Sequence, residues 1–331
     1  MVEKWFRIGH LAEAAERRET IRRGRLLVLG LVLALPGSGV SQGVAGGGYR
    51  PRLPANLEWV SFDRPGEVRQ AEQRALAAAL AALKPQRQGT VDAYVIVAAL
   101  NADPVFGREA REAARVLGRR FDAEGRTIVL AAGNGGGGAA PLGSPDSLAL
   151  ALARAGQLAD PREDVLVLYT TTHGSAQDGL QYKDPKRGFG WIKPQRLAAM
   201  LDGSGMANRL LIISACYSGI FLPRLSSDGS VVISAAASDR ASFGCSPGND
   251  WTYFGDAFVN RALRKPQPLP AAFAEARSLV SRWEAGAGLL NSNPQISIGR
   301  DVPRWLAPLE KRMPAQATNP VGRSAAEHGA P

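Results

Sequence analysis

The chain has 331 residues, of which 45% are hydrophobic and 21% are charged, and its formal net charge is +10. This composition is typical of a soluble globular protein of one large domain or two small ones. The positive charge is spread along the chain, without a block of Lys and Arg interleaved with aromatic residues, which argues against a nucleic-acid partner.

The N-terminal segment has the features of an export signal. Arg22, Arg23 and Arg25 precede the apolar run Leu26–Leu35, which is followed by Pro36 and many small residues. This order is typical of a secretory signal peptide, and the run is short for a membrane span. We therefore predict that residues 1–40 are a signal peptide or a retained N-terminal anchor. The protein would then be periplasmic or secreted, or attached to a membrane through residues 26–35.

The rest of the chain alternates between strand and helix patterns. Gly and Pro are frequent before residue 65, so residues 41–64 are predicted as a linker. Strands are predicted at 91–100, 126–132, 163–172, 208–215 and 229–237, and helices at 65–83, 107–121, 147–158, 192–201, 252–263 and 270–286. This alternation predicts an α/β domain over 65–306, with a mostly parallel sheet covered by helices on both faces. Residues 307–331 are predicted to be a disordered tail.

Two reactive side chains follow predicted strands. His173 comes directly after the strand 163–172, and Cys216 comes directly after the strand 208–215, 43 residues later. Parallel strands joined by a crossover place both side chains at one sheet edge, where α/β proteins bind ligands. An imidazole close to a thiol favours the nucleophilic thiolate. Either residue alone fits a structural role, but the pair indicates catalysis.

Gly174, directly after His173, has two interpretations. Without a side chain, it lets the backbone approach a substrate closely. Its N–H and that of Cys216 would then form an oxyanion hole. Alternatively, the glycine only permits a turn.

Other chemistry is less well supported by the sequence. The two cysteines, Cys216 and Cys245, do not have the spacing of a metal site, and no metal is expected. The loop GNGGGG at 133–138 fits G-x-G-x-x-G, but no helix opens directly from the glycines, which argues against dinucleotide binding.

The blocks TTTHGS (Thr170–Ser175) and ISACYSGIF (Ile213–Phe221) together resemble the catalytic blocks of the legumain-like cysteine peptidases. The resemblance continues through Val231–Phe258. It implies a caspase-like three-layer sandwich and a cysteine-type endopeptidase without a cofactor, acting on peptide or protein substrates. It also implies that His173 is the general base, that Cys216 is the nucleophile, and that Gly174 contributes to the oxyanion hole.

The same resemblance suggests a specificity pocket. Ser242 and Asp256 fall where the family lines its primary pocket, and Arg108 matches a pocket arginine. An Arg beside an Asp can bind a short polar side chain, so cleavage after Asn or Asp is implied. The alternatives are a helix-face carboxylate for Asp256 and a first-turn helix charge for Arg108.

Three further residues qualify the resemblance. Tyr217 stands where legumains have an acidic residue, which weakens a strict preference for Asn. Asn101, at the end of its strand, is a candidate for orienting His173. Cys245 matches a family cysteine that we interpret as structural, and a disulfide with Cys216 is not expected because it would block the nucleophile.

The sequence thus predicts a cysteine endopeptidase or a transpeptidase that uses the same acyl-enzyme. A second hypothesis is a non-catalytic caspase-like module that binds peptides or proteins of the cell envelope. A third is an α/β protein that binds a ligand through the Gly-rich loop.

Overall fold

A computed structural model describes residues 58–131 and 140–327. The predicted export segment 1–40 and the Gly-rich loop 133–138 lie outside the described residues. The strands are β1 (Trp59–Ser61), β2 (Ala93–Ala99), β3 (Thr127–Ala131), β4 (Val165–Thr171), β5 (Gly174–Ser175), β6 (Gly179–Asp184), β7 (Gly188–Ile192), β8 (Asn208–Ser214), β9 (Ser230–Ser234) and β10 (Gln295–Ile298).

The α-helices are α1 (Gly66–Ala81), α2 (Pro104–Arg120), α3 (Pro145–Leu158), α4 (Pro194–Asp202), α5 (Leu222–Leu225), α6 (Leu269–Gly286) and α7 (Val302–Lys311). The predicted helix 252–263 is instead a π-helical segment, Gly255–Arg261, that continues as a short 3-10 turn. Ser144 caps α3, since its hydroxyl accepts a hydrogen bond from the Ser147 N–H. None of the helices in the described ranges is long and apolar enough to cross a membrane.

The main sheet has six strands in the order β10-β9-β8-β4-β2-β3. All neighbouring pairs are parallel except β9 and β10, which are antiparallel. Every residue of β2 and β4 is buried, as expected for continuous apolar strands that are covered on both faces.

The two faces of this sheet carry two separate cores. Val95, Val97 and Tyr169 belong to the core formed with α2, α6, α7 and the π-helical segment. Ile96 and Leu168, from the alternate positions, belong to the core formed with α1, α3, α4 and α5. Neighbouring residues belong to different cores because successive side chains of a strand point to opposite faces of the sheet. This architecture confirms the predicted three-layer α/β fold.

The register between β4 and β8 determines where the two predicted catalytic residues lie. Thr171 is paired with Ser214, and the Thr172 N–H donates to the Ser214 carbonyl at 3.2 Å. His173 and Cys216 each lie two residues beyond this last pair. The two residues therefore leave the same sheet edge at equivalent positions on adjacent strands.

A second, smaller sheet was not predicted. Its strands run in the order β1-β7-β6-β5, and all of its pairs are antiparallel. Because Trp59–Ser61 pairs with β7, the prediction that residues 41–64 form only a linker is wrong for this strand. The edge strand β5 begins directly after His173, so the small sheet fixes the chain that follows this residue.

The prediction of a disordered tail from residue 307 is wrong for residues 307–327. α7 continues to Lys311, and the chain beyond it folds back on the domain. The Val321 carbonyl accepts hydrogen bonds from Trp251 Nε1 at 2.9 Å and from Asn260 Nδ2 at 3.0 Å. The Ala325 N–H donates to Asp256 at 2.9 Å. These long-range contacts order a segment whose composition alone suggests disorder.

Deleting residues 316–331 should destabilise the domain. The deletion removes the partners of Trp251, Asn260 and Asp256, and we expect a loss of about 3 kcal/mol, at roughly 1 kcal/mol per hydrogen bond. Urea unfolding measures the change, and a chain that ends at Glu327 is the matched control. Equal stability of the two truncated chains would contradict the structural role of the tail.

Candidate active site

The His173 side chain is held by two contacts. Its Nε2 lies 3.1 Å from Asp103 Oδ2, and its ring packs edge-on against Phe106, with ring centroids 5.0 Å apart. A neutral imidazole carries one proton, and a neighbouring carboxylate favours the tautomer in which the facing nitrogen bears it. Nδ1 is then the nitrogen that is free to accept a proton from a nucleophile.

Asp103 is a site residue that the sequence analysis did not identify. It follows β2, the strand next to β4, and it precedes Pro104 at the start of α2. Its N–H donates to Asn101 Oδ1 at 2.9 Å, and Asn101 Nδ2 donates to Gln181 at 2.6 Å. The side chain of Asn101 therefore contacts the backbone of Asp103 and the side chain of Gln181, and Asp103 is the residue that contacts His173. The signal in the sequence was an acidic residue just beyond a buried strand.

The Cys216 thiol is half-buried beside the backbone of Ser242. Its Sγ lies 3.3 Å from both the N–H and the carbonyl oxygen of Ser242. Burial raises the pKa of this thiol above its ordinary value, and backbone N–H groups of Ser242, Cys216 and Gly174 oppose the rise. The thiol is therefore mostly protonated at neutral pH, and its reactivity depends on a base that removes the proton during attack.

Gly174 is required by the close approach of two backbones. A Cβ at this position would lie 2.0 Å from the Cys216 carbonyl oxygen. Its φ is not among the positive values, so the turn itself does not need glycine. Glycine is thus needed for the packing of these two backbones, and the contribution of its N–H to an oxyanion hole stays a prediction.

The chain turns away from the thiol immediately after Cys216. Tyr217 has left-handed backbone angles, with φ 57° and ψ 16°, and its N–H donates to the Arg240 carbonyl at 2.8 Å. Such a conformation costs a non-glycine residue about 1 kcal/mol. The next residues, Ser218–Phe221, form a 3-10 turn. A Cβ on Gly219 would lie 2.4 Å from the Ser238 nitrogen, so glycine is needed there for the turn to close.

A buried carboxylate lies beneath this edge of the sheet. Glu109, on α2, is fully buried and accepts hydrogen bonds from Tyr169 Oη at 2.6 Å, Ser214 Oγ at 3.3 Å and the Thr252 N–H at 2.9 Å. A Cβ on Gly255 would lie 2.2 Å from Glu109 Oε2, so this glycine makes room for the carboxylate. Glu109 therefore connects β4, β8 and the segment before the π-helix. The strands β4 and β8 lead to His173 and Cys216, respectively.

The predicted pocket residues have different surroundings. Ser242 contacts the thiol through its backbone. Asp256 is fully buried, and its carboxylate binds Arg261, Asn260 and the tail residue Ala325. Arg108 donates to the carbonyls of residues 247 and 249 and pairs with a neighbouring carboxylate at 3.6 Å. The contacts of Asp256 and Arg108 are thus internal ones, and their pocket role stays a prediction that these contacts do not favour.

Cys245 has the surroundings of a structural cysteine. Burial and, secondarily, the negative groups at Cys216, Glu109 and Asp103 raise its pKa well above the ordinary value. Both cysteines are free thiols in the structure. Among the described side chains, no group of three or more His, Cys, Asp or Glu residues could hold a metal ion.

The chain was compared with protein families, with curated proteins and with solved structures, and the family match agrees with the chemistry of this site. Residues 146–302 match the Peptidase C13 family, and this range contains His173 and Cys216. The match supports a cysteine peptidase. No curated protein matches the chain. Caspase-1 from Spodoptera frugiperda is 14% identical, with 65% of this chain and 89% of that chain covered and a TM-score of 0.41. A secreted C11 cysteine protease from Bacteroides thetaiotaomicron, in complex with an irreversible peptide inhibitor, is 13% identical, with 65% and 67% covered and a TM-score of 0.40.

The raised pKa of Cys216 predicts the pH dependence of its alkylation. Because only the thiolate reacts, the rate with iodoacetamide should rise continuously from pH 6 and reach its midpoint above about 8.5, the value of an ordinary cysteine. Peptide mass spectrometry separates labelling of Cys216 from that of Cys245. A fast plateau that extends below pH 7 would show a preformed thiolate and contradict this prediction.

Truncating Glu109 should disturb both stability and the site. Glu109→Ala leaves three buried donors without an acceptor, and we expect a loss of about 3 kcal/mol in the free energy of unfolding. Slower alkylation of Cys216 in the folded protein should accompany it. Glu109→Gln should retain most of both properties, since the two hydroxyl groups can accept from the amide while Thr252 donates to it.

Glu112→Ala is the matched control, because Glu112 lies one turn further along the same helix and pairs with Arg115 and Arg264. If Glu109→Ala and Glu112→Ala slow the alkylation of Cys216 equally, the link between Glu109 and the catalytic strands is refuted.

Proposed function

We propose that this protein is a cysteine endopeptidase in which Cys216 is the nucleophile and His173 is the base. The observation that carries the proposal is the β4–β8 register, which brings both residues to the same sheet edge at equivalent positions. The carboxylate of Asp103, 3.1 Å from His173 Nε2, gives the imidazole a fixed orientation. A nucleophile, a base and a group that orients the base are the minimum set for acyl transfer through a thioester.

The reaction begins with a neutral thiol. His173 Nδ1 removes the Cys216 proton as Sγ attacks the carbonyl carbon of the peptide bond. The negative charge that develops on the carbonyl oxygen faces the N–H groups of Gly174 and Cys216. The tetrahedral intermediate then expels the amine, which takes the proton from His173, and a thioester forms. Water, activated by the same imidazole, attacks the thioester and releases the carboxylic acid and the free thiol.

We also propose that the peptide is cleaved after Asn or Asp, because the sequence resembles the legumain-like cysteine peptidases. Ser242 is the pocket residue with the best support, because its backbone already contacts the thiol. Asp256 and Arg108 would need to exchange their internal partners to reach a substrate. We also propose that the enzyme works outside the cytoplasm, on the basis of the arginines and the apolar run of residues 22–35.

Cleavage of a peptide library by four variants tests the proposal. Cys216→Ala should abolish cleavage, and His173→Ala should reduce kcat/KM by a factor of about 10² to 10⁴, the usual contribution of a general base. Asp103→Asn should cause a smaller loss, because the imidazole then lacks the carboxylate that orients it. Asp239→Asn, an exposed acidic residue, is the control.

The same assay separates the alternative functions. If Cys216→Ala cleaves as well as the wild type, the catalytic proposal is refuted. If the wild type binds peptides without cleaving them, the result would favour a binding module. Products that incorporate an added amine would show a transpeptidase with the same acyl-enzyme.

A further inference from the structure

A small cavity lies at the end of α2 that is remote from Asp103. It has a volume of about 90 Å³ and lies between the last turns of α2, the turn at 263–265 and the tail at 313–318. Its charged lining residues are Arg115, Arg119, Arg120, Arg264, Lys265 and Glu112. α2 has 17 residues, so about 25 Å separates the cavity from the start of the helix at the candidate active site.

Two of the lining arginines are buried. Arg120 is 3% exposed and Arg264 is 9% exposed. Arg120 donates to the carbonyls of Leu263, Lys265 and Gln267, but its Nε has no hydrogen-bond partner. Within the part of the chain that the structure describes, Arg120 has no carboxylate within 4.0 Å. Burial lowers its pKa to about 10, because desolvation of a guanidinium is unfavourable, and the negative charge of Glu310 offsets this effect only in part.

The carboxylates closest to the other cations of the lining are already paired. Glu112 is shared between Arg264 at 2.7 Å and Arg115 at 2.5 Å. Lys265 pairs with Glu275, which lies outside the lining. Arg119 donates only to the Gln316 carbonyl, at 3.2 Å, among the hydrogen bonds of the described residues. The cavity therefore has five cationic side chains and one carboxylate.

We propose that this cavity binds a small oxyanion of the phosphate class. An anion there would place a negative charge next to Arg119 and Arg120, which have no carboxylate within 4.0 Å among the described residues, and guanidinium groups bind such oxygens in pairs. A volume of about 90 Å³ is sufficient for a single phosphate group. Because Thr318 of the tail also lines the cavity, the bound anion would link α2 to the tail. The site is independent of the proposed peptidase activity.

Titration calorimetry of the full chain with inorganic phosphate, at constant ionic strength in sodium chloride, tests the site. We expect saturable binding of one phosphate per chain and an increase in Tm. Arg119→Gln should weaken the binding about tenfold, the effect of losing one charged hydrogen bond. Arg119 is exposed, so this change leaves the core intact. Arg300→Gln is the matched control, because Arg300 is an exposed arginine that pairs with Asp228 away from the cavity.

A second arm distinguishes a free phosphate from a lipid headgroup. It measures co-sedimentation with phosphatidylcholine vesicles that contain phosphatidic acid. The site is supported if either probe binds and if Arg119→Gln weakens this binding while Arg300→Gln does not. The probe that binds shows whether the ligand is a free phosphate or a lipid headgroup. If neither probe binds saturably, or if the two variants bind equally, the proposal is overturned.

Discussion

The candidate active site depends on one geometric constraint, the parallel pairing of β4 with β8. Thr171 is opposite Ser214, and the next residues of both strands leave the sheet together. A shift of one residue in this register would turn one of the two side chains, His173 or Cys216, toward the opposite face, because strands alternate with a period of two. The two buried cores, one on each face, oppose such a shift, since it would move the side chains of a strand into the opposite core, where the packing does not fit them.

The electrostatics of the site are consistent with this arrangement. Burial keeps the Cys216 thiol neutral. The carboxylate of Asp103 contacts one nitrogen of the His173 imidazole. In the proposed mechanism, charge separation therefore begins only when a substrate is present, and the oxyanion and the imidazolium then form together near fixed N–H groups. Glu109, which is buried, fixes the positions of the strands that carry both groups through its hydrogen bonds to them.

Much of the fold could be predicted because its strands are continuous apolar runs separated by helices. Val91–Leu100 is an example, and the structure has β2 within it. The small sheet was harder to predict, since β6 has only six residues and its buried positions alternate with polar ones between glycines. Asp103 could not be identified because its role depends on β2 lying next to β4, and strand order is not visible in a single sequence. The ordered tail was missed for a similar reason: its partner, Asp256, is distant in sequence.

The position of that tail also has a consequence for the order of synthesis. Asp256 and Trp251 precede their hydrogen-bond partners, Ala325 and Val321, by 69 and 70 residues, so the partners are translated later. Chains emerge from the ribosome N-terminus first, so the sheet can form while the protein is still being made. The carboxylate of Asp256 acquires its tail partner only when the tail has emerged. Completion of this part of the core is therefore a late step of folding, and the growing chain exposes this part of the interior until then.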